Sequence, residues 1–143
     1  MLGAVVQPTL WGDEAGALFE AKVTTLDAKW GLAQVAFSGG HLWLRDSGLQ
    51  HDQAVRVRVL ARDVSITRTR AQDTSIQNHL PCTVQAVLPD AHPAQCLVQL
   101  RCADASTTPA VLLARITSRA AHDLQLEIGQ SVWAQVKSVA LIR

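Results

Sequence analysis

The side chains best suited to chemistry in this chain are hydroxyls rather than nucleophiles. Thr117 and Ser118 offer O–H donors at the start of the one convincing helix candidate, and Lys137 places a cation next to the hydroxyl of Ser138. Donors of these kinds can hold a small anion, above all where Thr117 or Ser118 opens a helix and frees its first N–H groups. The same groups serve equally well as helix caps and strand-end hydroxyls. Catalysis has no such support. No nucleophile is paired with a base, no carboxylate dyad sits in a motif, and no Gly-x-x-x-x-Gly-Lys-Ser/Thr phosphate loop occurs. The chain is therefore read as a non-enzyme. His41, His51, His79, His92 and His122 are scattered without ligand spacing. Cys82, Cys96 and Cys102 are too few and too irregular for a disulfide framework or a zinc site. Neither a metal nor a cofactor is expected.

The composition narrows the partners. The chain has 143 residues, a formal net charge of +1 and 17% charged residues. Its 48% hydrophobic content supports a packed core and argues against disorder. Aromatic residues make up 4%. A nucleic-acid binder wants a basic excess and stacking rings, so that class is set aside. Arg56, Arg58, Arg62, Arg68 and Arg70 read as a solvated strand face, or as partners for acids across an interface. No apolar run approaches the roughly 18 residues of a membrane helix. Met1 to Gly12 lacks the basic start of a secretory signal. A cytoplasmic location follows as the expectation.

Periodicity points to strands. Val55, Val57, Val59 and Ala61 share one face, with Arg56, Arg58 and Arg62 opposite. Cys96, Val98, Leu100 and Cys102 share another, and Leu18–Leu26 and Ser131–Arg143 are further β candidates. One short helix is expected after Thr117 or Ser118, with Gly129 beyond its end. Turns are expected at Ser38–Gly40, Asp46–Gly48 and Pro89–Pro93.

Three blocks recur in the same order, which sets the organisation. Gly31–Phe37 aligns with Cys96–Cys102, Leu42–Arg45 with Leu112–Arg115, and Ala61–Ile66 with Val136–Leu141. The expected division is a lead-in over 1–14, a first unit over 15–68, a linker over 69–74 and a second unit over 75–143. Units this small bury little surface alone and should pack on each other or on a second chain. The expected fold is all-β: two tandem small OB-like Greek-key barrels, with one short helix in the second. Trp11, Trp30, Trp43 and Trp133 are read as packing residues, with Trp43 and Trp133 as candidates for an interface.

The second unit resembles the MOP domain, a molybdate-binding member of the TOBE group. The resemblance lies in Thr74-Ser-Ile-Gln-Asn-His-Leu80, Leu113-Ala-Arg-Ile-Thr-Ser118, Leu124-Gln-Leu-Glu-Ile-Gly129 and Val136-Lys-Ser-Val139. In the first unit, Val59-Leu-Ala-Arg-Asp-Val-Ser-Ile66 is similar to a TOBE ending of transporter ATPases. The tandem arrangement resembles the C-terminal regulatory region of the ATPase subunit of molybdate ABC transporters. That resemblance implies an oxyanion ligand, molybdate or tungstate, held by Ser75, Gln77, Thr117, Ser118, Lys137 and Ser138. It implies sites between subunits, hence a homodimer. It also implies contact with the transporter's membrane subunit only through a parent ATPase, at the cytoplasmic face of the inner membrane.

The sequence departs from the family pattern in three places. Gln77 stands where many members have Arg, Ala120 where a Ser is common, and Arg62-Asp63 where the second unit has Lys137-Ser138. A carboxylate at Asp63 repels an oxyanion, so fewer or weaker sites are expected than in a storage protein of this family. The alternative is a TOBE-type dimerisation or interaction module that binds no oxyanion.

Overall fold

The computed structural model describes residues 5–9, 15–102 and 110–142. Eleven strands, a 3-10 turn and one helix follow one another along them. The first half contributes β1 (Val5–Thr9), β2 (Gly16–Asp27), β3 (Leu32–Phe37), β4 (Gly40–Arg45), β5 (Ala54–Leu60), the 3-10 turn Ala61–Asp63 and β6 (Val64–Thr67). The second contributes β7 (Asn78–Pro89), β8 (Gln95–Cys102), β9 (Val111–Thr117), α1 (Ser118–Asp123), β10 (Ser131–Val136) and β11 (Ala140–Ile142). The all-β expectation with one short helix in the second half holds. The two sheets curl into small OB-like barrels.

Alternation builds the walls of each barrel. Val57 and Val59 are buried on β5 while Arg56 is exposed. Cys96, Val98, Leu100 and Cys102 are buried on β8, as their spacing requires. Gly31 is a correction: its core-face assignment fails, because it sits exposed in the β2–β3 turn at φ +67°. That left-handed conformation suits glycine and not a strand residue. The Ser38–Gly39 turn of the β3–β4 hairpin packs inward instead. A Cβ on Gly39 would lie 2.8 Å from the Cys102 side chain, so only glycine lets this turn lie so close to β8.

The sheet order carries the main finding. One sheet runs β11-β5-β2-β3-β4, with β1 also paired to β2; the other runs β6-β10-β7-β8-β9. Each half therefore sends its last strand into the other half's sheet. β6 pairs with β10 through Val64↔Val136, and β11 pairs with β5 through Leu141↔Val57. The repeat extends to fine detail. Both long strands shift register at matching places, β2 between Val23 and Thr25 and β7 between Val84 and Ala86. Such bulges bend a strand and let a small barrel close.

The sequence halves and the sheets thus do not coincide. The segment over 68–77, which contains the expected linker over 69–74, joins β6 and β7, two strands of one sheet. A single apolar cluster runs through both halves, from Phe19, Val35 and Val57 to Val98, Leu100 and Leu112. Phe19 and Phe37 stack within it at 4.9 Å between ring centroids. The register also refines the third repeat block. Ala17 pairs with Val59 as Asn78 pairs with Val136, so the two halves differ in the length of the segment that follows. The first half uses it for the 3-10 turn.

Candidate functional site

The recurring motifs of the second half first do structural work. Asn78 is buried, and its side chain reads the backbone of Trp43 at two points. The Trp43 N–H donates to Asn78 Oδ1 at 2.7 Å, and Asn78 Nδ2 donates to the Trp43 carbonyl at 3.0 Å. This amide replaces a strand pairing and fastens β4 of the first half to β7 of the second. Arg115, on β9, reaches the β7–β8 turn, where its Nε lies 2.7 Å from Asp90 Oδ2. Both side chains are largely buried. Ser118 secures the same turn twice: its hydroxyl donates to the Pro93 carbonyl at 2.8 Å and its N–H to the Ala94 carbonyl at 2.8 Å.

The Ala91 N–H and then the Arg115 guanidinium hold the Asp90 carboxyl below its ordinary value of 3.8. A depressed carboxyl stabilises the fold above its unfolded-state value and loses that contribution as pH falls through the folded-state value. Urea melts of the wild type should therefore weaken below about pH 4, and Asp90→Asn should flatten that acid limb. Identical acid limbs in the two proteins would refute the assignment. Burial, and then the Asp90 charge, push the Cys96 thiol up, so Cys96 is an inert core residue. Cys82 and Cys102 are likewise buried, with their sulfurs facing across strands at 4.0 Å.

The six candidate ligand residues lie at different places. Thr117 is the helix N-cap, its hydroxyl oxygen accepting the Ala120 N–H at 3.0 Å. That bond occupies an N–H an anion would want, and the Ser118 hydroxyl already donates to Pro93. Lys137 and Ser138 are exposed between β10 and β11. The Lys137 N–H donates to the Asp63 carbonyl at 2.8 Å, so the two repeat-equivalent segments meet there. Ser75 and Gln77 are exposed in the segment leading into β7. Among the described residues, no hydrogen bond or ion pair links Ser75, Thr117 and Lys137.

Gln77 lines a cleft of about 410 Å³ between the β3–β4 hairpin and the start of β7. Gln34, His41, Arg70 and His79 line it too, and no carboxylate does. Arg70 lies over the Trp133 ring, 5.8 Å from its centroid. A larger cleft of about 750 Å³ carries Glu20 and Asp52 together with Lys22 and Arg56, so its cations already face carboxylates. By sequence Arg70 belongs with the solvated arginines. Its approach to Gln77 depends on the fold of 68–77, and nothing in its spacing signals that. No group of three or more His, Cys, Asp or Glu that could hold a metal occurs among the described residues.

The TOBE domain model matches residues 74–142. Residues 74–142 are a TOBE domain. The whole chain is similar to the molybdenum import ATP-binding protein ModC of Thiobacillus denitrificans, 45% identical over 135 residues, covering 94% of this chain and 36% of that protein. ModC of Methylococcus capsulatus is also 45% identical over 135 residues, with the same coverage of 94% and 36%. The chain thus spans about a third of the length of these relatives. Among solved structures, the cytoplasmic molybdate-binding protein ModG superposes with a TM-score of 0.69 at 21% identity, over 87% of this chain and 93% of that one. The superposition shows that the TOBE domain and the half preceding it share the ModG fold. No helix among the described residues is long and apolar enough to cross a membrane.

Proposed function

We propose that this chain is the oxyanion-binding regulatory part of a molybdate importer ATPase, with molybdate or tungstate as its ligand. The observation that carries this reading is the 45% identity to ModC proteins, sustained over 94% of the chain. The fold shared with molybdate-binding ModG supports it. The chain has no phosphate loop, so it contributes regulation rather than hydrolysis. In a complete transporter it sits at the cytoplasmic face of the inner membrane. Oxyanion binding there biases the ATPase only through tighter binding to one of its states.

Ser75, Gln77, Thr117, Ser118, Lys137 and Ser138 remain the proposed ligand set. Ser75, Gln77, Thr117, Lys137 and Ser138 are exposed, and the set is spread over the lead into β7, the β9–α1 junction and the β10–β11 connection, so in this reading a second copy of the chain completes the shell. A homodimer is the proposed working unit. Titration calorimetry with molybdate, with sulfate as control, tests this. Binding heat with molybdate and little with sulfate is expected; no heat at high micromolar ligand removes the reading.

The engaged Ser118 hydroxyl and the capped Ala120 N–H favour a second reading. In it, the barrels are an interaction module that holds ATPase subunits together without a ligand. A dimer in light scattering that ignores molybdate would select it.

A further inference from the structure

We infer that Arg70 supplies, from outside the family motif, the positive charge that Gln77 lacks, and so acts as a ligand-binding residue for the oxyanion. This rests on the oxyanion reading above. Gln77 keeps a hydrogen-bond donor at its motif position but carries no charge. A dianion that meets Lys137 as its one cation binds more weakly than one that also meets a guanidinium.

The fold answers that loss locally. The segment after β6 brings Arg70 to the same cleft as Gln77, although seven positions separate them in the chain. Trp133, on β10, carries the Arg70 guanidinium on its face. A cation–π contact of this kind restrains an exposed arginine and leaves its N–H groups able to donate. The walls suit an anion: Gln34 and His41 line the cleft with Gln77, and no carboxylate does, while the His79 Nε2 is engaged with the Ile76 carbonyl at 2.7 Å. The neighbouring cleft that shares Gln77 includes Asp27, and the larger cleft beside β11 includes Glu20 and Asp52 alongside Lys22 and Arg56. Arg70 therefore stands in the one of these three clefts that excludes negative charge. Arg68, two residues earlier, is occupied elsewhere, its Nε donating to the Leu124 carbonyl at 3.3 Å.

The test is molybdate calorimetry on the whole chain and four variants, each checked for an unchanged thermal transition. Arg70→Gln should weaken molybdate binding roughly tenfold or more, while Arg70→Lys should retain much of it. Arg101→Gln removes an equal charge from the exposed side of β8 and should leave affinity unchanged. The double variant Arg70→Gln with Gln77→Arg should recover binding, because it returns the charge to the motif position. Wild-type affinity in Arg70→Gln, with the wild type binding well, overturns the role of Arg70 and leaves the oxyanion reading intact. Equal losses in Arg70→Gln and Arg101→Gln also overturn it, since the effect is then one of net charge. Failure of the double variant to recover overturns the replacement of Gln77. Absence of binding by the wild type overturns the oxyanion reading itself.

Discussion

Expressed separately, the segments 15–68 and 75–143 should each fail to fold as monomers, and co-expressed they should copurify as one folded particle. The reason is the reciprocal exchange of β6 and β11. Cut at the linker, the first half keeps β6 but loses the sheet that β6 completes. It also loses β11, the strand that covers the edge of β5. The second half loses β6, whose Val64 and Ile66 are buried at 3% and 8% exposure. Burying two such side chains contributes about 3–6 kcal/mol, much of what a domain of this size has in net stability. A unit of 60 residues is already marginal, burying only about 60% of its unfolded surface. Circular dichroism and thermal melts of the separate halves check this. A cooperative unfolding transition in either isolated half as a monomer, independent of concentration, would refute it.

Replacing Asn78 with Ala should be the most damaging single polar substitution in the chain. Both of its hydrogen bonds go to the Trp43 backbone. Alanine leaves a partly buried N–H and carbonyl on Trp43 without partners. Each unmet buried group costs about 1–3 kcal/mol, so a loss of about 2–4 kcal/mol is expected. Asn78→Asp keeps the acceptor for the Trp43 N–H but turns the donor into a carboxylate oxygen facing the Trp43 carbonyl. It should therefore be destabilised as well, and less so at low pH, where the acid can donate. Urea unfolding at neutral and acidic pH measures both effects. A change below about 0.5 kcal/mol in Asn78→Ala would show that the clamp does not hold the halves together.

Much of the fold was legible because strand burial in a two-sided sheet leaves a period-two signature. Val57, Val59, Val98 and Leu100 could be placed on core faces from alternation alone. The repeat was legible for the same reason: equivalent core positions keep similar side chains. Strand exchange was not. β6 and β11 look alike in sequence whichever sheet they join, since pairing depends on where the preceding turn aims the chain. The site was legible only in part. Hydroxyls at Thr117 and Ser118 pointed to a helix start, and Thr117 does cap one. Residue type could not show that the Ser118 hydroxyl is spent on Pro93, or that Asn78 and Arg115 serve the scaffold. Arg70 was hidden because an exposed arginine in a loop gives no sign of which cleft it borders.

The tether between β6 and β7 has one more consequence. A half-length chain of this topology has no strand of its own to close its barrel, and must trade its last strand with an identical neighbour. Its folding would then depend on concentration. Joining two copies through the short segment over 68–77 makes the trade internal, at an effective concentration on the order of millimolar. The exchange then completes at any dilution, so both barrels assemble with one chain's supply of strands.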